Sequence, residues 1–299
     1  MSSVEKLRRA EAGLLSHTLN LLVPTFGVLV LVTYALCEEL RNFVFGIFVP
    51  QYHYSFPVAL SFGQVLPSLF FLNLLHALGL VRLRPFSRSL GEKMLVPALG
   101  LGIHDVLVTW AKASSLDSGL SPQTQLLLPS ATVGLSYCLK VPSLPSVHVS
   151  VLIAILSGTS LVLTVSQEVT GIPPLEYMYA PLAVLLHSLS LTFLAKVLEA
   201  EQRQPLDSRA SVLDLYYAQV VTQGCVLGPL WLLHPDGPWT VVGGGSWHSL
   251  LFLGYLLALL LLSTALKLAV AVAALCISPV AAALLHSARQ LIRPFFRLL

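Results

Sequence analysis

Residues 249–273 read SLLFLGYLLALLLLSTALKLAVAVA, and Lys267 is the single charge in the run. A helix needs about 20 apolar residues to cross roughly 30 Å of hydrocarbon, and this run meets that length. It is continuous, without the alternation of a membrane-barrel strand, so it predicts a membrane-spanning helix. The same pattern recurs along the chain. Apolar runs cover about 14–36, 56–80, 94–113, 120–139, 147–165, 177–198 and 212–233, and a last run, 278 to about 296, is interrupted by Arg289 and Arg293.

Composition agrees with this reading. Of 299 residues, 56% are hydrophobic and only 10% charged, and mean hydropathy is +0.81. A soluble domain carries roughly 25% charge. So few charges cannot cover a water-facing surface of this size, and lipid must face most of it. At about 30 residues per span and loop, the length admits at most about ten helices. Disorder, a disulfide scaffold and nucleic-acid binding are disfavoured. Cys37, Cys138, Cys225 and Cys276 are scattered, with no spacing that indicates a zinc site or a disulfide framework. The N-terminal arm lacks a cleavable-signal pattern, so no removed leader is expected.

Basic residues set the orientation. The N-terminal arm holds Lys6, Arg8 and Arg9; the second-to-third connection holds Arg82, Arg84, Arg88 and Lys93. Lys140 follows in the fourth-to-fifth connection, and Lys196, Arg203 and Arg209 in the sixth-to-seventh. All lie on the N-terminal side, which is expected to be cytosolic. The other side is acidic or polar apart from Arg41, as in Glu38-Glu39. Nine spans would put the C-terminus opposite the N-terminus, yet it carries Arg293 and Arg297. Either the last helix does not fully cross, or a tenth span is lacking.

Ser121-Pro122 opens the fourth run and Ser278-Pro279 the last, about half a chain apart. Proline suits a helix start, where its missing N–H would be unpaired anyway. Matching helix starts in two halves with an odd number of spans each indicate an inverted repeat around a midplane site. Coincidence is the competing reading. The expected division is a cytosolic arm at 1–13, a first helical repeat at 14–146 and a second, truncated repeat at 147–299.

Ionisable groups in membrane helices usually face a cavity or a partner. Asn73 and His76 mark the second run, His104 and Asp105 the third, His187 the sixth. Lys196 and Lys267 are read as snorkelling from span ends. Asp214, Tyr216, Tyr217 and Gln219 open the seventh helix, with Tyr216 and Gln219 on one face. His286, Arg289 and Gln290 follow i, i+3, i+4 spacing, so one face presents an imidazole, a guanidinium and an amide. Arg289 either grips a phosphate or carboxylate with paired donors or reaches an interface from a helix that ends early. No enzyme signature is present: there is no P-loop, GxSxG or HExxH. His104 and Asp105 are neighbours on different faces, a poor catalytic pair, and Gly243-Gly244-Gly245 reads as a turn.

Four stretches carry a resemblance. They are Tyr54–Ser61 with Gln64; Leu78–Val81 running into Phe86–Ser89 and Lys93; Asp214–Gln219; and His286–Gln290. In this order and spacing, the chain resembles the nucleotide-sugar transporters and triose-phosphate translocators of the drug/metabolite transporter superfamily, over about residues 20–292. The resemblance implies an all-α polytopic carrier of about nine transmembrane helices in an inverted-repeat fold, lacking a tenth. It implies a Golgi or ER location and exchange of a nucleotide-sugar, or a related phosphorylated metabolite, for a nucleoside monophosphate. It places Tyr216, Tyr217, Gln219, His286, Arg289 and Gln290 at the substrate. No cofactor or metal is called for, and monomer or homodimer stays open. The chain departs from the family at Leu126–Ser130, where a Leu-Arg-Arg run is common, at Glu38-Glu39, and at His286 in place of a glycine. These departures support a second expectation, a non-transporting, carrier-like scaffold or regulator.

Overall fold

The computed structural model describes residues 3–54, 56–113, 123–168, 175–205, 209–235 and 237–296, with side chains left undescribed at 3–26, 165–168 and 292–296. Every regular element among the described residues is helical. In order these are α1 (Ser3–Tyr52), α2 (Pro57–Gly63), α3 (Val65–Ala77), α4 (Arg88–Ala113), a 3-10 turn at Gln125–Leu127, α5 (Leu128–Cys138), α6 (Val147–Glu168), α7 (Glu176–Gln202), α8 (Val212–Leu233), α9 (Pro238–Gly244), α10 (Leu250–Cys276) and α11 (Pro279–Phe296). Five stretches among the described residues are long and apolar enough to cross a membrane: Pro57–Ala77, Arg88–Ala113, Val147–Thr164, Glu176–Gln202 and Leu250–Cys276. The chain is a helical, multi-pass type of membrane protein by that criterion. Large apolar side chains on their outer faces, such as Phe70, Leu152, Met178 and Leu257, are exposed, as a lipid-facing surface requires.

The first helix differs from the expected span. It does not stop before Glu38-Glu39 but continues to Tyr52. Tyr34, Glu38, Arg41, Asn42 and Phe45 follow i, i+4, i+7, i+8, i+11 spacing, so the charges turn inward on one stripe and need not end the helix. The second span is interrupted at Gln64. Pro67 offers no N–H to the preceding turn, and its ring crowds the carbonyl four residues back, at Gly63. The Thr264 hydroxyl donates to the Gln64 carbonyl at 3.1 Å from α10. Gly243 and Gly244 close the short helix α9 rather than forming an open turn. Ser121-Pro122 lies outside the described residues. The matching Ser278-Pro279 does start α11, with the Ser278 hydroxyl accepting from Ala281 N at 3.0 Å.

Packing joins α4 to α7 and α8, α10 to α1 and α11, and α5 to α7 and α11. The α4–α7 contact is close because Gly100 brings the helices together: a Cβ there would sit 3.0 Å from the Leu186 carbonyl oxygen. Beside it, Ser190 Oγ donates to the Pro97 carbonyl at 2.7 Å. At the other end of α1, Phe48, Tyr52 and Tyr54 stack with Phe252 of α10 at ring separations of 5.2–5.7 Å. Burial pushes the Tyr54 hydroxyl up to about 12, so it stays protonated at neutral pH.

The start of α8 is held by a reciprocal cap. Ser211 Oγ accepts from Asp214 N at 3.1 Å, and Asp214 Oδ2 accepts from Ser211 N at 2.8 Å. Asp214 Oδ1 also accepts from Arg84 N at 2.8 Å, which ties the α3–α4 connection to this helix. Asp214 is thus a structural cap. Ser211→Ala is expected to lower stability by about 1 kcal/mol, while Ser211→Asp retains it. Thermal unfolding of the detergent-solubilised protein tests this, and equal melting of both variants and the parent would dismiss the cap.

Candidate functional site

Stripes of inward-facing residues from several helices enclose a central cavity of about 110 Å³. Besides the α1 stripe, α4 contributes Leu101, His104, Asp105, Val108, Thr109 and Lys112, again at i, i+3, i+4, i+7, i+8, i+11. His187, Ser190 and Leu191 come from α7; Ser263 and Lys267 from α10; Gln219 from α8; His286 from α11. His104 and Asp105 therefore both border the cavity, although they are sequence neighbours. One stripe is wide enough to hold both.

Lys267 does not snorkel. Its Nζ donates to Asp105 Oδ2 at 2.5 Å, and the two side chains keep 19% and 12% of their exposure. Gln223 Nε2 donates to the same carboxylate oxygen at 3.1 Å. Lysine and aspartate from α10 and α4 thus meet inside the protein, and a partner, not water, compensates each charge. Nearby, Asn42 Oδ1 accepts from Arg41 Nη2 at 3.2 Å and from Lys112 Nζ at 3.3 Å. Glu38 is buried, and its Oε2 has no hydrogen-bond partner. The cavity wall carries Arg41, Lys112 and Lys267 against Glu38 and Asp105, so its formal excess is cationic. Such a wall can hold an anionic or zwitterionic polar solute by charge-assisted hydrogen bonds.

Three histidines meet at this cavity. Their ring centroids lie 4.4 Å apart for His104 and His187, 4.6 Å for His187 and His286, and 6.5 Å for His104 and His286. His104 Nδ1 lies 2.9 Å from the Ala183 carbonyl, which can only accept, so Nδ1 carries the proton. His286 Nδ1 is hydrogen-bonded to the Tyr34 hydroxyl at 3.0 Å. In sequence the three stand on separate runs, and no spacing signals their meeting.

Of the residues expected at the substrate, Gln219 and His286 line the central cavity. Gln219 Oε1 is buried without a partner, so this acceptor can take a hydrogen bond from a solute donor. Tyr216 is buried against α3, and its hydroxyl donates to Ser68 Oγ at 3.5 Å. Tyr217 lines a different cavity, of about 290 Å³, beside Arg84, Phe86, Lys93 and Glu201. There Lys93 Nζ is ion-paired to Glu201 at 2.7 Å. The Arg289 guanidinium is ion-paired to Glu39 of α1 and faces the α1–α11 seam. Gln290 Nε2 donates to Gln125 Oε1 at 3.0 Å, and Ser287 Oγ donates to the Gln125 carbonyl at 2.9 Å. The i, i+3, i+4 face of α11 thus divides: His286 looks into the cavity, and its companions bind neighbouring segments. Asn73 and His76 act locally, Asn73 on the Leu69 carbonyl and His76 on the backbone of Val81 and Leu83.

No protein-family model matches the chain, and no curated protein matches it by sequence.

Proposed function

We propose that the chain is a secondary carrier that moves a phosphorylated polar solute of the nucleotide-sugar class by alternating access, in exchange for a nucleoside monophosphate. The observation that carries this reading is the central cavity, walled by Arg41, Lys267 and the buried, unpartnered Oε1 of Gln219, each about two or more turns inside its helix, and by Lys112 in the last turn of α4. An apolar helical protein has no packing need for such a wall, and midplane ionisable groups mark solute pathways.

Packing supports the nine-helix inverted-repeat reading. Aligning Ser121-Pro122 with Ser278-Pro279 pairs α1 with α7, the α2–α3 span with α8, α4 with α10 and α5 with α11, which assigns α6 to the first repeat and moves the division from 146/147 to the α6–α7 connection. Under that exchange the α4–α7 contact becomes α10–α1, and the α2–α4 contact becomes α8–α10; all four contacts exist. The N-terminal side is proposed to be cytosolic from the placement of lysine and arginine, and the membrane to be that of the Golgi or ER.

Ligand pockets for drug-sized molecules measure roughly 300–1,000 Å³, so the walls must part to admit a nucleotide-sugar. The solute drives exchange only if it stabilises both inward- and outward-open arrangements. Proteoliposomes preloaded with a nucleoside monophosphate are expected to take up a labelled nucleotide-sugar faster than empty ones. Gln219→Ala should cut that uptake about tenfold, the worth of one well-placed hydrogen bond. Arg289→Ala should leave more activity than Gln219→Ala, since Arg289 is engaged by Glu39. Absence of trans-stimulated uptake by folded protein, across uridine and guanosine sugars, would leave the non-transporting scaffold as the better description.

A further inference from the structure

We propose that His104, His187 and His286 form a binding site for a zinc-class divalent cation, held by three imidazole nitrogens with a fourth position open to the central cavity. The three side chains project from α4, α7 and α11, and their ligand atoms all lie within 4.8 Å of one another. A tetrahedral ion bonds imidazole nitrogen at about 2.0–2.1 Å, which sets nitrogens roughly 3.3 Å apart. The rings therefore need to close by about 1.5 Å at the widest separation, which small side-chain rotations can supply.

The hydrogen bonds around the rings match what metal-binding histidines require, while Arg41, Lys112 and Lys267 on the same wall act against a dication and Glu38 and Asp105 act for it. Such a histidine donates its outer ring N–H to a carbonyl or other acceptor, which fixes the tautomer and aims the second nitrogen at the ion. His104 does this through Nδ1 to the Ala183 carbonyl, leaving Nε2 with a lone pair. The Tyr34 hydroxyl is hydrogen-bonded to His286 Nδ1, and a hydroxyl can accept, so the tautomer with the proton on Nδ1 leaves Nε2 for the ion. His187 stands between them, and its Nδ1 is buried with no hydrogen-bond partner. A buried polar atom left unpaired is unfavourable, and a bond to a metal removes that cost. The neighbouring Asp105 carboxylate binds Lys267 and Gln223 through Oδ2 and is not among the clustered ligand atoms, so the donor set is imidazole alone. Three imidazoles favour zinc, cobalt, nickel or copper over magnesium or calcium, which take oxygen ligands. All three residues line the cavity, so an ion or water can reach the fourth position.

The inference is independent of the carrier reading, because it concerns stoichiometry and not flux. The experiment uses the full chain, purified in detergent without a polyhistidine tag, stripped with a chelator and titrated with cobalt(II). One cobalt per chain with tetrahedral visible absorption is expected, displaced by zinc and not by magnesium. His187→Asn should weaken binding at least 100-fold. Tyr34→Phe, which removes only the support of His286, should weaken it by about 10–100-fold and serves where the first variant does not fold. Absence of tetrahedral absorption in the parent, or parental affinity in the folded variants, overturns the site.

Discussion

Lys267→Ala is expected to lower unfolding free energy by about 3–5 kcal/mol, the range for stranding one member of a buried ion pair. The reason is asymmetric. While the pair is closed, each charge compensates the other; once Lys267 is gone, the Asp105 carboxylate keeps only the Gln223 amide as a donor. Asp105→Ala should cost a similar amount, because it leaves a mostly buried ammonium without its counter-charge. The double variant should cost much less than the sum, since no charge is then left stranded. Replacing both with apolar residues of similar volume is expected to approach parental stability. Thermal unfolding in detergent over the full cycle measures this, and additive single effects would mean that the two groups do not depend on one another.

Gly100→Leu is expected to cost about 1–3 kcal/mol or more, at the upper end for an overpacked core. The obstacle is backbone: the Leu186 carbonyl oxygen lies 3.0 Å from the position of a Cβ, and Ser190 Cβ 3.4 Å. Neither can swing aside as a side-chain tip would, so α4 and α7 must separate. That movement would also stretch the Ser190–Pro97 hydrogen bond and draw His104 from the Ala183 carbonyl. Gly102→Ala is the internal control. Its nearest neighbour is the Leu227 side chain at 3.5 Å, an ordinary contact, so it should change stability by less than about 1 kcal/mol. If the two variants melt alike, close approach at Gly100 is not what sets the spacing of these helices.

The helices were largely legible because an unbroken apolar run has few other ways to satisfy its backbone in lipid. The expected 212–233 and 278–296 agree with Val212–Leu233 and Pro279–Phe296 to within a residue. The misreading of α1 has a definite cause. Glu38, Glu39 and Arg41 resemble the polar end of a span when counted linearly, yet Glu38 and Arg41 fall on a single inward stripe with Tyr34 and Asn42. The same periodicity, applied to α4, would have placed His104 and Asp105 on one wall. What no single sequence displays is which stripe faces which. The Asp105–Lys267 pair and the three-histidine cluster join residues far apart in the chain, and each half of either looks like an isolated oddity on its own helix. The Ser211–Asp214 cap follows a Ser-x-x-Asp spacing that the sequence displays, although Asp214 reads there only as one of the polar residues that open its helix.

One property of the interior follows from how its charges are matched. A unit charge displaced across the bilayer exchanges about 2.3 kcal/mol with every 100 mV of membrane potential. Asp105 with Lys267, and Glu39 with Arg289, each sum to zero. A closed pair that shifts as one body therefore does no electrical work. While they hold, these two pairs give voltage no grip of their own, and the remaining wall charges, Arg41 and Lys112 against Glu38, are what couples movement of α1 and α4 to the potential.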